Sequence, residues 1–447
     1  VKGFALLFSI LFLLLLTLFG LAMLSMAEGY YASTRHLIDD QNARIACEQA
    51  AKQLIDRHNL EAGVPRLFFD PRSWDGLAIT PFAYSDFTIS GSLQAPWSSI
   101  SPNPLTISAR KGPHVAQQQF QVGQRRFENF ALYSDAGSVL PGESLVDGLV
   151  FSREPLNLIE PGVEFREIVQ ADVAPEYFAS FRKRTSQEFE YPRISDLMNV
   201  DRFAGLAQHS GFTVKQHAPS FWKTDHYELE LDQLQITLKR KNWEISYKGF
   251  WIGTAAELVL YFDGPLTVKQ SDAPPPFLPA KPEAALIIVS NSTLRISTGL
   301  HDVNSAAFRH PLCLISGAAI HLTSELPLSV LIHACLIALG SEDHDGEWMS
   351  LIIEPGTLPA TDTRKAAFLD DFRASNALLH EAVLNAATLA VQNDEQVVWI
   401  RGGLILESGL SLPPDLKQLH LQASTSVFPG LPALPFVYCM EGTQQWQ

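Results

Sequence analysis

The chain is poor in cysteine, with 4 in 447 residues and no Cys-x-x-Cys pair. That spacing argues against a thiolate zinc site or a dithiol redox motif. Proline is absent from Val1 to Val64, where the only glycines are Gly3, Gly20, Gly29 and Gly63, so little in that segment breaks a helix. Positive charge is scarce as well. Against 33 Lys+Arg stand 48 Asp+Glu, a net charge of −15 with no basic block. Such a balance disfavours nucleic acid or an anionic membrane surface as partners of the polar part. Gly-x-Ser-x-Gly, His-Glu-x-x-His and Walker signatures do not occur, so the sequence offers no catalytic motif and no cofactor motif.

What the chain does have begins at residue 4. Residues 4–27, FALLFSILFLLLLTLFGLAMLSMA, carry no charged side chain. At about 1.5 Å per residue they reach roughly 36 Å as a helix, enough for a hydrocarbon core of about 30 Å. Lys2 lies just before this run and Glu28 just after, which favours a single-pass orientation with the remainder outside the inner membrane. Residues 28–62 continue with helical spacing. Leu37, Ile38, Ile45, Ala51 and Ile55 fall on one broad face, and Arg35, Asp39, Asn42 and Glu48 lie largely elsewhere. The expectation is one rod, half apolar and half amphipathic.

Lys2-Gly3-Phe4, the apolar run after it and the polar helix with Ala50-Ala51 together resemble the N-terminus of type IV prepilins, and of PilX-like minor pilins in particular. The prepilin resemblance covers about the first 60 residues, and the repeats farther on resemble an extracytoplasmic β-solenoid domain that follows PilX-like N-termini in some bacterial proteins. The prepilin resemblance implies cleavage between Gly3 and Phe4 by a dedicated peptidase, with methylation of Phe4. It also implies an assembly helix that includes Phe8, Leu15 and Gly20, with other pilin subunits and the inner-membrane assembly platform as partners. Major pilins carry Glu as the fifth mature residue; here that position is Phe8, which points toward a minor or tip-associated subunit.

Downstream, prolines at 65, 71, 81, 96, 102, 104 and 113 punctuate alternating runs such as FTISGSL and LTISA, the pattern of half-buried strands. Short helices are expected at 176–185 and 194–208. Apolar runs interrupted by small residues recur at 258–268 (LVLYFDGPLTV), 286–296 (LIIVSNSTLRI), 312–322 (LCLISGAAIHL) and 398–406 (VWIRGGLIL), and HACLIALG at 333–340 is echoed by HEAVLNAATLAV at 380–391. The step from Ile288 to Leu314 is a repeat length suited to stacked short strands. The fold class expected is therefore α+β, mostly β. A long N-terminal helix (1–62) precedes a β-rich region (63–255), degenerate solenoid repeats (256–425) and a surface tail (426–447). A right-handed parallel β-helix is the first choice and a β-sandwich the alternative. The Pro-rich stretch at 272–282 reads as a long loop, residues 363–377 as a helix, and 380–391 as a further strand repeat.

Few residues suggest chemistry. Glu342, Asp343, Asp345 and Glu347 form an acidic loop or a hard-cation site. Asp263, Arg295, His321 and Arg401 are the few polar members of the repeats and read as exposed strand residues. Cys313 and Cys335 share the context Cys-Leu-Ile, which fits buried small side chains or a mutual disulfide. Phe221, Trp222, Tyr227, Trp243, Tyr247, Phe250 and Trp251 fit strand packing or an exposed glycan-binding stripe. Three functions follow: a pilin-like subunit, a membrane-anchored solenoid scaffold or binding protein, and an anchored carbohydrate-active enzyme that needs a charged groove on one face.

Overall fold

A computed structural model describes residues 2–62, 78–84, 86–93, 103–112, 114–126, 130–158, 162–166, 169–170, 193–198, 200–210, 212–213, 225–231, 235–240, 243–248, 257–270, 285–300, 312–342, 348–357, 361–375, 381–423 and 436–446. The sequence expectations for residues 176–185, 221–222, 250–251, 272–282 and 343–347 lie outside them. The chain divides into two compact units. One comprises Val1–His58, Asp70–Gln124 and Tyr438–Gln447; the other comprises Asn59–Phe69 and Arg125–Val437.

The first unit is a helix and an antiparallel sheet. The helix, Lys2–Ala62, runs 61 residues without a break, about 90 Å at the helical rise. Strands Ala78–Tyr84, Phe87–Leu93, Asn103–Lys111 and His114–Arg126 pair in sequence order. Period-2 alternation turns Phe87, Ile89, Leu105, Ile107, Ala109, Ala116, Phe120 and Val122 inward. The fifth strand, Phe436–Trp446, takes its place beside His114–Arg126. Residues 426–447 are therefore not a surface tail throughout. The prolines at 429, 432 and 435 suggest a loop, but they stop just short of a strand whose partner lies far back in the sequence.

The second unit consists mostly of parallel ladders in three large sheets, beside a two-stranded parallel pair of Val139–Leu140 and Asn157–Leu158. Sheet one has nine strands in the order Val169–Gln170, Leu149–Ser152, Phe130–Ser134, Leu404–Leu406, Cys335–Ala338, Leu312–Ser316, Ala285–Ser290, Glu257–Phe262 and Phe212–Thr213. Sheet two runs Trp243–Lys248, Gln235–Arg240, His226–Glu230, Leu266–Lys269, Leu294–Ile296, Ile320–Leu322, Trp348–Ile353 and Ser341–Glu342, with Gly409–Ser411 beside Trp348–Ile353. Sheet three runs Glu164–Phe165, Leu145–Asp147, Leu416–Ala423, Gln396–Gly402 and Ser329–Ile332. Successive strands of sheet one pair Leu260 with Ile288, Ile288 with Leu314 and Leu314 with Leu336, each step a little shorter than the one before. One apolar cluster draws on all three sheets, including Leu132, Leu314 and Leu404 from the first, Val268, Ile296 and Leu322 from the second, and Val330, Ile400 and Leu421 from the third.

The chain enters sheet one in its middle. Strands after residue 130 build to one edge, the chain then restarts at the far edge near residue 212, and it works back until Leu404 pairs with Leu132. Parallel pairing thus begins well before residue 256, and the division between units falls at Gln124/Arg125 rather than at 255/256. The repeats at 258, 286 and 312 align in register, with Leu258 opposite Leu286 and Leu286 opposite Leu312. VWIRGGLIL is a different corner. Its first half pairs in sheet three, where Val398 meets Val330, and its second half in sheet one, where Leu404 meets Leu336. Its counterpart is therefore residues 330–338. The expected strand repeat at 380–391 is a helix, Glu381–Gln392, since its Ala-rich sequence favours helix and its apolar side chains meet another helix.

That helix and Asp362–Ser375 cover the outer face of sheet three. Trp399 is fully buried there, with the Phe372 ring edge-on at 5.1 Å and the Phe368 ring at 5.9 Å. Cys47, Cys313 and Cys335 are buried thiols; Cys313 and Cys335 sit opposite each other on adjacent strands without forming a disulfide.

Turns after sheet one reuse one device. Ser290 and Ser316 are register partners, as are Ser134 and Ser152, and all four are fully buried. Each hydroxyl reaches turn carbonyls: Ser316 Oγ lies 2.8 Å from the Ser292 oxygen and 3.0 Å from that of Ala319, and Ser290 Oγ lies 2.9 Å from that of Gly264. The serines satisfy carbonyls that water cannot reach. Ser316→Ala is expected to lower unfolding free energy by about 1–2 kcal/mol, measurable by urea denaturation of the detergent-solubilised protein.

Candidate functional site

The long helix has two chemically different halves. Among the described residues its first half has no packing partner in the chain: Phe4 is 77% exposed, Phe8 65% and Leu15 57%. A Cβ on Gly20 would have no neighbour within 4 Å, so this glycine makes room for nothing inside the chain itself. Gly3 lies in the first turn of the same helix. The structure thus places Gly3, Phe4, Phe8, Leu15 and Gly20 on one continuous element. The segment is long and apolar enough to cross a membrane, with none of its most apolar stretch buried. Thr17 Oγ1 donates to the Leu14 carbonyl at 2.9 Å, so the hydroxyl within the apolar run is satisfied inside the helix, as an apolar environment demands.

The second half packs through small side chains. Ala43, Ala46, Cys47, Ala50 and Ala51 are buried at i, i+3, i+4, i+7 and i+8, a single stripe on the helical period. Small residues let the helix approach the sheet closely enough for Cys47 Sγ to lie 3.7 Å from the Ile107 oxygen and 3.6 Å from that of Ala116. Burial pushes the Cys47 thiol up to about 11, so it stays protonated and inert at neutral pH. This stripe includes Ala51 of the face expected from the sequence but leaves out its described aliphatics. Leu37 is 68% exposed, Ile38 53% and Ile45 49%. A search for aliphatics picks the wrong face, because the contact is made by alanine; the visible signal is Ala50-Ala51 together with Ala46-Cys47. Where the helix meets the sheet, the His36 and His114 rings are 5.1 Å apart and His114 Nε2 lies 4.0 Å from Asp39 Oδ2.

One solved structure similar to this chain is a pilin. It is the crystal structure of the competence-associated pilin ComZ from Thermus thermophilus, with 9% sequence identity and a TM-score of 0.33, covering 91% of this chain and 96% of that one. No protein-family model matches the sequence, and no curated protein matches it.

The polar residues singled out in the repeats are scattered. Asp263 accepts a hydrogen bond from the Tyr227 hydroxyl at 2.5 Å, and Tyr227 is otherwise buried in the core. Arg401 lies over the Trp399 ring at 5.7 Å on sheet three. Arg295 and His321 are register neighbours on sheet two, and His321 Nδ1 is 3.7 Å from Glu354 Oε1. Sequence reading misses the buried Asp135 and its half-buried partner Arg153, joined by two contacts of 3.2 Å, with the Ile194 amide donating to Asp135 Oδ2 at 2.5 Å. Burial raises the Asp135 carboxyl to about 6, although the Ile194 amide and Arg153 pull it down. Among the described residues no group of three or more His, Cys, Asp and Glu side chains is arranged to hold a metal ion.

Proposed function

We propose that this chain is a minor-pilin- or pseudopilin-like structural subunit of a type IV pilus or related secretion filament, PilX-like at its N-terminus, and that it works by assembly rather than catalysis. The observation that carries this reading is the length of the exposed apolar surface. Membrane anchoring needs about 20 apolar residues, which residues 4–27 supply. Leu37, Ile38 and Ile45 continue the exposed apolar surface beyond that run, while the opposite, alanine-lined face is already taken by the sheet. Aliphatics left outside both a membrane-length segment and the core call for a protein neighbour, and a second helix of the same kind in a filament provides one. The helix is then held in the inner membrane before assembly, with the β-rich part outside the cytoplasm. In the second unit, the run of parallel pairs from Leu260 through Ile288 and Leu314 to Leu336 supports a β-solenoid displayed by that helix. Phe8, in place of a pairing carboxylate, favours a minor or tip position.

N-terminal sequencing and intact-mass analysis of the protein from its own cells test the proposal. The expected product starts at methylated Phe4 and appears in sheared filaments, and Gly3→Val retains the residues before Phe4 and stays in the membrane fraction. An intact N-terminus in the native protein, with all of it in the membrane fraction, supports the anchored scaffold instead and overturns the pilin reading.

A further inference from the structure

Among the described residues of the three large sheets in the second unit, sheet two keeps one face to solvent. Strands of sheet one are buried on both faces along Phe130–Ser134, Leu312–Ser316 and Cys335–Ala338. Sheet three is closed over by its two helices. In sheet two burial alternates: Leu266, Val268, Leu294, Ile296, Ile320 and Leu322 face the core, and the residues between them face outward.

The outward residues form a row across neighbouring strands. Glu228 pairs in register with Thr267, Thr267 with Arg295, and Arg295 with His321, so they are spaced about 4.8 Å apart. The row is held from both ends. Glu228 is bound by Lys239 and Lys269 together, His226 Nε2 is 2.8 Å from Thr267 Oγ1, and His321 is braced by Glu354. Arg295 between them is exposed, and it makes no ion pair among the described residues. The carboxylate of the row is neutralised by two lysines, which leaves a local excess of positive charge on a chain whose net charge is −15. Hydroxyls flank the row, with Thr237 Oγ1 and Ser246 Oγ 3.0 Å apart. The same sheet also carries Trp348, 63% exposed, off the row and four residues along its strand from Ile352, the register partner of His321.

We propose that the outer face of sheet two binds an acidic glycan, a uronate-containing chain lying across the strands with a carboxylate on Arg295 and ring hydroxyls on the Thr267 row. A single unpaired guanidinium suits a carboxylate. The hydroxyls of Thr267 and the exposed Ser246 and the imidazoles of His226 and His321 suit sugar hydroxyls, and the exposed tryptophan beyond the row offers the apolar face of a sugar ring a surface. The strand step is close to the length of one sugar residue, so consecutive residues meet equivalent positions. Duplex DNA is disfavoured by the net charge and by the lack of a second unpaired cation among the described residues of the row. This inference does not depend on the pilin reading, since the face is the same on a permanently anchored protein.

Titration calorimetry of the full-length protein in detergent tests it, with oligogalacturonate as probe, a maltooligosaccharide as neutral control and duplex DNA as competing polyanion. Oligogalacturonate is expected to bind, and Arg295→Gln to weaken it at least tenfold without changing the circular dichroism spectrum. Arg295→Lys recovers part of the loss. Glu228→Gln releases both lysines and tightens binding severalfold, a change of opposite sign that general loss of structure does not produce. Absence of oligogalacturonate binding, equal affinity for the neutral sugar, indifference to Arg295→Gln or preference for duplex DNA each overturns the proposal.

Discussion

Gly402→Ala is expected to remove about 4 kcal/mol of folding free energy or more, enough to leave the second unit largely unfolded at physiological temperature in a domain of ordinary stability. Two independent costs meet at this position. Its φ of +146° is one that side-chain-bearing residues rarely adopt, a penalty of about 1–3 kcal/mol. A Cβ there would also lie 2.4 Å from the Ala334 carbonyl carbon, 2.5 Å from its oxygen and 2.6 Å from the Cys335 nitrogen. These are backbone atoms of the preceding corner, so no side-chain rotation relieves the overlap. Gly403 closes off escape on the other side, with its own φ of +90° and a Cβ position 2.3 Å from the Phe130 oxygen. The turn between sheets three and one is thus sandwiched between the Ala334–Cys335 corner and the start of the strand Phe130–Ser134, and only a residue without a side chain fits between them. Gly205→Ala is the matched control. Gly205 lies in the helix Asp201–Ser210, and its added Cβ has nothing within 4 Å, so this change is expected to be neutral or to stabilise by up to about 1 kcal/mol. Thermal melts of both variants in detergent, followed by near-ultraviolet circular dichroism, separate the outcomes. A Gly402→Ala protein that melts with the parent would mean that the corners do not stack as tightly as these distances require.

This corner also marks how far local sequence carries. Gly402-Gly403 stands out as a tight point in the sequence, and the long helix follows from its unbroken apolar run, because both are short-range signals. The aligned copies at 258, 286 and 312 are legible for a similar reason: each partner lies only one repeat away. Reading fails where pairing is remote. Leu336 pairs with Leu404 across two inserted helices, and Leu404 pairs with Leu132; no local window contains either pairing. Strand Phe436–Trp446 escapes notice in the same way. Function is harder still. The candidate assembly residues are visible as an apolar run, but the alanine stripe that decides which face stays exposed looks ordinary beside Ile38 and Ile45. On sheet two, Thr267, Arg295 and His321 come from three separate repeats, and only the register makes them one row. On sheet three, Gln418, His420 and Gln422 alternate with apolar residues along one strand. All three are buried, because helices from a distant part of the sequence lie over that sheet.

His420 gives that burial a pH dependence. The side chain is fully buried; its Nδ1 accepts from the Leu145 amide at 3.1 Å, its Nε2 lies 3.0 Å from Gln418 Oε1, and the Phe372 ring centre is 4.7 Å away. The imidazole is therefore neutral with its proton on Nε2, since protonating Nδ1 would set it against the Leu145 N–H. Burial lowers its pKa from 6.5 to about 3. The folded value lies below the unfolded one, so the unfolded chain takes up the proton first, and stability is lost as pH falls from about 6.5 toward about 3. At pH 4.5 the loss relative to neutral pH is on the order of 3 kcal/mol. Asp135 acts in the opposite sense. Its pKa is raised from 3.8 to about 6, so the folded state takes up that proton first, and stability is gained as pH falls from about 6 toward about 4, by on the order of 2 kcal/mol at pH 4.5. The two nearly cancel in the parent protein, and substitutions unmask them. His420→Gln removes the acid-labile group, so the drop in unfolding free energy between pH 7 and pH 4.5 is expected to shrink by about 2–3 kcal/mol. Asp135→Asn removes the opposing gain, so the same drop is expected to deepen by about 2 kcal/mol. Denaturant titrations of the three proteins at the two pH values measure the differences directly, and other carboxylates cancel because all three share them. Parallel pH profiles for parent and His420→Gln would show that the buried imidazole does not couple the helix-covered sheet to pH.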